Sequence, residues 1–195
     1  MPISDEPDGA TPFDPDEFEG LKFKHVTTRA ELDQLEQSNI QDGLAWLERS
    51  NTNILVEPFV RQLHRRLFGQ VWNWAGTYRL REKNIGVEPE QIAVQLRMLL
   101  DDARYWSEND TYPPLEAAGR FHHRMVQIHL FPNGNGRHAR IAANVYLKER
   151  FRHAPIDWTA GHDLQSIGDR RAQYIAALRA ADGGDLLPLL SLVGP

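Results

Sequence analysis

Residues 129–140 read His-Leu-Phe-Pro-Asn-Gly-Asn-Gly-Arg-His-Ala-Arg, and the rest of the chain is organised around this stretch. Apolar residues at helical spacing precede and follow it, so we expect one helix to end near His129 and another to begin near Arg137. Pro132, Gly134 and Gly136 interrupt the helical pattern between them. The stretch therefore predicts two helices joined by a glycine-rich turn.

This turn has the groups needed to bind phosphate and to remove a proton. A helix N-terminus offers unpaired N–H groups, and glycines let consecutive N–H groups point at one anion. Arg137 and Arg140 share a helix face, and a guanidinium binds phosphate through two hydrogen bonds. His129 titrates near neutrality and could accept a proton from a hydroxyl that attacks phosphorus. An ordinary turn between two helices would also explain the Gly, Asn and Pro residues. The ordered combination with His129, Arg137 and Arg140 favours a site for the α- and β-phosphates of a nucleotide.

Composition limits the classes of function. The chain has 195 residues, 41% of them hydrophobic, and a net charge of −5, which suits one folded domain and gives no reason to expect nucleic-acid binding. It has no cysteine, which excludes disulfides, thiolate nucleophiles and cysteine-based metal sites. We see no secretory leader and no apolar run of membrane-spanning length, so we expect a cytoplasmic protein without membrane contact.

The chain divides into three parts. Residues 1–24 form an acidic, proline-rich N-terminal extension, which we expect to be poorly ordered or laid on the surface. Residues 25–54 contain an N-terminal helix whose start is marked by Thr28 and Glu31 at capping-box spacing. Residues 55–195 form the main domain.

Helical periodicity dominates the main domain. It predicts helices over about 58–69, 92–103, 113–129, 137–147, 163–182 and 186–193. Residues 72–87 differ, because glycines and β-branched residues there favour an aromatic corner followed by a short β-hairpin. The predicted fold class is therefore mainly α, a helical bundle with one short β-hairpin.

The motif at residues 129–140 resembles the signature of the Fic (filamentation induced by cAMP)/Doc family, His-x-Phe-x-(Asp/Glu)-Gly-Asn-Gly-Arg-x-x-Arg. Residues 63–68 and 74–79 resemble the helix and turn that precede the family's flap, and residues 174–185 resemble its closing helix. The likeness covers about residues 55–193, and the whole chain is most similar to the mobile-element-associated branch called mobile mystery protein B. The resemblance implies a Fic-type helical bundle, with residues 55–195 as the Fic domain and the hairpin as its flap.

The resemblance also implies an activity, the transfer of AMP from ATP to a Ser, Thr or Tyr hydroxyl of a target protein. His129 and Arg137 would be the catalytic residues, with His129 as the base. The residues implied for the nucleotide phosphates are Asn133, Gly134, Asn135, Gly136, Arg137 and Arg140. The flap residues that would align a target segment by strand addition are Lys83, Asn84, Ile85, Gly86 and Val87.

Asn133 departs from the family pattern, which has Asp or Glu there to bind Mg²⁺. An amide offers one neutral oxygen, so Asn133 is a weak metal candidate, and Mg²⁺ or Mn²⁺ would be held largely through the phosphates of ATP. Two alternatives follow. The chain is a catalytically weak regulatory protein that binds a nucleotide or a partner, or it is an enzyme that uses another phosphoryl-type donor.

Many members of the family are inhibited by a helix that bears (Ser/Thr)-x-x-x-Glu-(Gly/Asn). The first long helix has a near match in Ser38, Asp42 and Gly43, and Glu36 is a rival for the inhibitory carboxylate. Ordinary solvent-facing acids on an amphipathic helix explain the same residues equally well.

The partners implied by the resemblance are an unknown target protein, ATP, an antitoxin or regulatory partner, and a further copy of the chain in a homo-oligomer. A toxin-like role in the cytoplasm of a bacterium is likewise what the resemblance implies.

Overall fold

The structure is a computed structural model that describes residue 11, residues 14–159, residue 164 and residues 168–193. The helices of these residues are α1 (Pro15–Phe18), α2 (Arg29–Glu48), α3 (Glu57–Phe68), α4 (Ile92–Glu108), α5 (Pro114–Ile128), α6 (Asn135–Tyr146), α7 (Asp169–Asp182) and α8 (Leu187–Val193). A 3₁₀ turn, Pro89–Gln91, precedes α4, and a π-helical turn, Leu147–Phe151, extends α6. The mainly α fold class is confirmed. Among the described helices, none combines the length and apolarity needed to cross a membrane.

The helix ends follow the local sequence signals. Thr28 and Glu31 form the expected capping box, in which Glu31 N donates to Thr28 Oγ1 and Thr28 N donates to Glu31 Oε2 at 3.1 Å. Helix α6 begins at Asn135, two residues before Arg137, because Gly134 takes the left-handed conformation that starts it. The helix expected over 163–182 begins at Asp169, and residues 163 and 165–167 lie outside the described residues.

Helix α5 is central and packs against α4, α6, α7 and α8. Phe121 on α5 stacks on Tyr146 of α6 with ring centroids 4.9 Å apart, and the Tyr146 hydroxyl donates to Ala103 O of α4 at 2.6 Å. Gly119 lets α8 approach closely, because a Cβ there would lie 2.9 Å from Leu190. The motif therefore connects two helices that are fixed by the core of the domain.

The β-hairpin predicted over residues 72–87 is wrong, because the described residues form no sheet and contain only one isolated bridge, Leu21 to Trp72. Residues 79–88 form an irregular loop around the buried guanidinium of Arg79. Arg79 donates to the carbonyls of Arg81, at 2.8 Å, and Val87. These carbonyls bond to a side chain instead of a neighbouring strand, so no ladder forms.

Residues 14–24 lie along the domain. Leu21 is buried and forms an isolated β-bridge with Trp72. Two hydrogen bonds of 2.9 Å flank the bridge, one from Lys22 N to Val71 O and one from Asn73 N to Gly20 O. A Cβ at Gly20 would lie 2.5 Å from the Trp74 ring, so only glycine permits this approach.

Candidate active site

The motif turn has a fixed backbone. Helix α5 ends at Ile128. The left-handed conformation of the C-cap residue His129 (φ 57°) redirects the chain, and Gly134 (φ 77°) redirects it again into α6. Glycine is required at position 134 for two reasons. The backbone of a larger residue would be strained at this positive φ, and a Cβ would lie 2.8 Å from the ring of Phe68. The turn thus places the end of one helix beside the beginning of the next.

Two buried polar side chains hold the turn closed. Asn135 accepts a hydrogen bond from Phe131 N at 2.9 Å and donates to Phe131 O at 2.7 Å. Its side chain is therefore engaged inside the turn, and the phosphate contact implied for Asn135 is left to its backbone N–H.

His64 on α3 is the second of these side chains. Gly76 N donates to His64 Nδ1 at 3.0 Å, so the proton of the neutral ring lies on Nε2, which donates to Asn133 O at 3.0 Å. Burial holds the pKa of His64 well below its usual value and keeps the ring neutral. The ring also stacks on Phe131 at 3.8 Å between centroids.

The beginning of α6 lines a cavity of about 590 Å³. The first backbone N–H along α6 with an intrahelical partner is that of His138, which donates to Gly134 O at 2.9 Å. The N–H groups of Asn135, Gly136 and Arg137 come before it, at the positive end of the helix dipole. The cavity is also lined by residues 84–87 of the flap loop and by α7. The space between α6, this loop and α7 is large enough for a nucleotide.

His129 lies at the edge of this cavity and is 3% exposed. Burial, followed by the positive charge of Arg79, lowers the pKa of His129 to about 3, so the ring is neutral near pH 7. Its Nε2 atom lies 3.0 Å from the hydroxyl of Thr11. A neutral imidazole with a hydroxyl at hydrogen-bond distance has the geometry that proton transfer requires.

Arg79 is a site residue that the sequence analysis did not identify. Its Nε donates to His129 O at 2.6 Å, and its backbone N–H donates to Leu130 O at 3.0 Å. Its charge thus lies at the C-terminal end of α5, where the helix dipole favours a cation. In the sequence, Arg79 is recognisable only as an arginine next to the predicted flap. No pattern of residues showed that its side chain is buried against the C-terminal end of α5.

The two motif arginines have different partners. Arg137 forms an ion pair with Glu36 of α2 at 2.5 Å and lies over the ring of Phe68. Glu36 is 2% exposed, and its other oxygen accepts from Trp72 Nε1 at 2.6 Å. Arg140 lines the cavity and lies over the ring of Tyr174 on α7.

Of the four residues predicted for an inhibitory helix, the structure brings only Glu36 to the motif. Asp42 is exposed and accepts a hydrogen bond from Gln70 Nε2 at 3.1 Å. Ser38 is exposed, and Gly43 is buried where a Cβ would lie 2.8 Å from Arg66 O of α3. Gly43 therefore serves the packing of α2 on α3.

The flap residues Asn84, Ile85, Gly86 and Val87 line the cavity. Gly86 passes close to His129, since a Cβ at Gly86 would lie 2.9 Å from the Cβ of His129. Lys83 turns the other way and pairs with Asp14 at 2.8 Å and with Glu17 at 2.5 Å. Lys83 therefore fastens the N-terminal segment to the flap.

Asn133 uses both ends of its amide. Gly134 N can only donate, and it donates to Asn133 Oδ1 at 2.6 Å. The other end is therefore Nδ2, which donates to Thr11 O at 3.2 Å.

The residues present do not fit a resident metal ion. The amide oxygen of Asn133 already accepts a hydrogen bond, and the described residues contain no group of three or more His, Asp or Glu side chains placed to bind a metal.

Comparison with known proteins agrees with this geometry. Residues 54–147 match the model of the Fic/DOC family. The chain is 29% identical over 155 residues to protein adenylyltransferase fic-1 of Caenorhabditis elegans and 26% identical over 153 residues to protein adenylyltransferase Fic of Nematostella vectensis. Each match covers 75% of this chain but only 28% and 33% of the relative, so the chain spans about a third or less of their length.

Solved structures show the same fold. The Fic-1 fragment of C. elegans superposes with a TM-score of 0.62 at 28% identity and covers 80% of this chain and 46% of that one. BepC of Bartonella tribocorum, solved with bound AMPPNP, superposes with a TM-score of 0.67 at 16% identity and covers 88% of each chain. At that identity the likeness to BepC concerns the fold alone.

Proposed function

We propose that this chain, which carries a Fic/DOC-family domain at residues 54–147, is a protein adenylyltransferase that transfers AMP from ATP to a hydroxyl of a target protein. The observation that carries the proposal is the arrangement of one cavity. It brings the neutral imidazole of His129 beside the N-terminus of α6, with Arg137 and Arg140 on its wall. The names of the curated relatives support the same activity.

Each motif residue has a role in this reaction. The target hydroxyl attacks the α-phosphorus, its proton passes to His129 Nε2, and pyrophosphate leaves. The N–H groups at the beginning of α6 hold the α- and β-phosphates, while Arg137 and Arg140 bind the β- and γ-phosphates. ATP enters as its Mg²⁺ or Mn²⁺ complex, with the metal held by the phosphates because the chain supplies no carboxylate at Asn133.

The target segment docks on the flap. Ile85 is exposed and Gly86 lies next to His129, so an extended peptide placed along residues 84–87 would bring its hydroxyl to the base. Main-chain docking of this kind makes few demands on the sequence of the target.

Glu36 makes the enzyme autoinhibited in the form described. Its pair with Arg137 occupies the guanidinium that a polyphosphate needs, and the pair is buried, so solvent screens it little. ATP must displace this carboxylate before its terminal phosphates can bind.

A second function is favoured by Asn133. Its amide is engaged on both sides and gives no anionic metal ligand. A chain with this site would bind a nucleotide, or a partner protein, without efficient transfer and act as a regulator.

The resemblance to the mobile mystery protein B branch supports the setting that we propose. The chain acts in a bacterial cytoplasm on a target protein, and an antitoxin or another regulatory partner, or a second copy of the chain, controls it.

The deciding experiment follows the label from ATP. The protein and its His129→Ala variant are incubated with Mg²⁺ or Mn²⁺ and cell lysate, once with α-labelled and once with γ-labelled ATP. We expect α-label on protein, lowered about 10²–10⁴-fold in the variant. Tight ATP binding without any transfer would favour the regulatory function, and transfer of the γ-label alone would point to another phosphoryl chemistry.

Autoinhibition has its own test. Glu36→Gln keeps the shape of the side chain and an acceptor for Trp72 but removes the charge that holds Arg137. We expect tighter ATP binding and faster labelling than in the wild type. Asp42→Asn is the matched control on the same helix, and equal labelling by the two variants would remove Glu36 from this role.

A further inference from the structure

Thr11 occupies the position that the substrate hydroxyl must take. Its Oγ1 atom lies 3.0 Å from Nε2 of His129, 118 residues away in the chain, and the residue is 9% exposed. It also lines the cavity that the beginning of α6 lines. A hydroxyl from the chain itself is therefore already at His129, in the same cavity as the helix N-terminus.

The chemistry of this pair suits attack on phosphorus. A threonine hydroxyl can donate its proton, and a neutral imidazole with its own proton on Nδ1 accepts at Nε2. Burial keeps His129 neutral near pH 7, because it lowers the pKa of the ring to about 3. Negative phosphates in the cavity would raise that pKa, since a nearby anion favours the imidazolium form.

The main chain of Thr11 is held as well as its side chain. Asn133 Nδ2 donates to Thr11 O at 3.2 Å, so the carbonyl and the hydroxyl of one residue are both bound by the motif. An aspartate at 133 could not donate this hydrogen bond, and its charge would face the carbonyl oxygen. Asn133, which weakens the site for a metal, is thus the residue type that holds Thr11.

Three acidic residues of the N-terminal segment, at positions 14, 16 and 17, contact the flap and the residues around it. Lys83 pairs with Asp14 and Glu17, Arg81 pairs with Asp16, and Trp74 Nε1 donates to Glu17 O at 2.8 Å. The N-terminal segment therefore contacts the flap on which a target segment would dock, and it delivers its hydroxyl to the same base.

We propose that Thr11 is an intramolecular acceptor, and that the chain adenylylates its own Thr11 in cis. This inference rests on the proposed function. The Thr11 oxygen forms a new bond to the α-phosphorus of ATP, the bond from that phosphorus to the α–β bridging oxygen breaks, the hydroxyl proton goes to His129 Nε2, and pyrophosphate leaves. The product is a phosphodiester that joins the Thr11 oxygen to adenosine through the α-phosphorus.

The rival explanation is that Thr11 only blocks the site, as a plug. In that case Thr11 keeps the hydroxyl of a target protein away from His129 and is never modified. The two explanations differ in one observable, the presence of AMP on Thr11.

The experiment uses the full chain with α-labelled ATP, Mg²⁺ and cell lysate, in the wild-type and in the Glu36→Gln background. Label on the chain is located by proteolysis and tandem mass spectrometry. We expect AMP on Thr11, its loss to background in Thr11→Val, and its retention in Thr11→Ser. Thr111→Val is the matched control, because Thr111 is exposed and is not among the residues that line the cavity.

A mixing experiment tests the cis route. Isotopically labelled His129→Ala protein, whose Thr11 is intact, is incubated in excess with unlabelled wild type. We expect AMP on Thr11 of the wild-type chains alone, at a rate that does not depend on protein concentration.

Three outcomes overturn the inference in different ways. If lysate proteins are labelled in a His129-dependent manner while Thr11 stays unmodified, Thr11 is a plug and the proposed function stands. If Thr11 of the His129→Ala chains is modified equally, the reaction is intermolecular. If neither the lysate nor the chain is labelled in either background, the proposed function fails and the self-modification fails with it.

Discussion

The site is built from two regions that are held by different forces. The floor consists of the motif turn with its supporting side chains, and neutral hydrogen bonds of buried groups hold it: His64 to Gly76 and Asn133, and Asn135 to Phe131. The cover consists of residue 11, residues 14–24 and the flap loop, residues 79–88. Ion pairs hold much of the cover together: Lys83 pairs with Asp14 and Glu17, and Arg81 pairs with Asp16.

This difference separates what must stay from what must move. Neutral buried hydrogen bonds respond weakly to salt but fail when a buried histidine is protonated. Ion pairs change little near neutral pH, and salt screens the exposed pair of Arg81 with Asp16 more than the pairs of the buried Lys83 side chain. A phosphate site needs a fixed floor, and a site that admits ATP and a target needs a cover that can leave. The tests that follow attack one region at a time, beginning with the largest expected effect.

Acid should destabilise the floor. Burial lowers the pKa of His122 and of His129 to about 3 and the pKa of His138 to about 4, and it also lowers the pKa of His64. Below about pH 6.5 the unfolded chain therefore binds more protons than the folded chain does. Stability is therefore full above that pH and falls as the pH drops toward 4, by about 1.4 kcal/mol per pH unit for each histidine. Denaturant titrations across this range measure it, and a free energy of unfolding that is flat below pH 6.5 contradicts it.

His64→Ala should be the most damaging single change to the floor. It leaves Gly76 N and Asn133 O without their partner and opens a void against Phe131, which together cost about 2–5 kcal/mol. The control is His153→Ala, an exposed histidine, and thermal unfolding compares them. Equal melting temperatures for the two variants would show that His64 does not hold the turn.

Gly134→Ala should lower stability by about 1–3 kcal/mol through a strained backbone and a contact with Phe68. Gly184→Ala is a matched control, because Gly184 also has a positive φ (94°) but nothing lies within 4 Å of a Cβ there. Both variants share the backbone strain, so the difference between their free energies of unfolding isolates the Phe68 contact. No difference would mean that the ring yields freely.

Lys83→Met tests the cover. The Lys83 side chain is almost fully buried, so the substitution leaves the carboxylates of Asp14 and Glu17 without this cation. It should lower the free energy of unfolding by about 1–3 kcal/mol. The exposed pair of Arg81 with Asp16 should be worth about 0–1 kcal/mol, which makes Arg81→Met the control. Hydrogen exchange over residues 14–24 reports both changes. Faster exchange in Arg81→Met than in Lys83→Met would reverse the assignment.

The smallest effect is expected where floor and cover meet. Asn133→Asp removes the hydrogen bond to Thr11 O, worth about 0.5–1.5 kcal/mol, and should release the cover without harming α6. We expect labelling of Thr11 to fall and labelling of lysate proteins to rise, each by up to about tenfold. A parallel fall in both would mean that Asn133 serves transfer itself.

The sequence predicted much of the floor. Helical spacing and capping signals located the helices, and the motif marked a glycine-rich turn with a helix starting after it. These features are local, so a short window of sequence contains them. The hairpin prediction was wrong for a non-local reason, because the direction of the Arg79 side chain decides the shape of residues 79–88 and no periodicity records it.

The cover could not be predicted in the same way. Thr11 has no motif around it, and its importance comes only from a contact with a residue 118 positions away. The acids at residues 14, 16 and 17 predicted a solvated extension, since the paired bases lie more than sixty residues later. Glu36 was one of two candidates, and only the folded packing of α2 beside Arg137 distinguishes it from Asp42.

The hydrogen bond from Trp72 to Glu36 gives the protein a built-in optical reporter. The indole of Trp72 stacks on Trp74 at 4.9 Å and donates to the carboxylate that holds Arg137. When Glu36 leaves Arg137, the electric field at this buried indole changes, and its ultraviolet fluorescence must change with it. The polyphosphate binding that we propose at the motif should therefore be visible in the unmodified chain, in real time and without a dye.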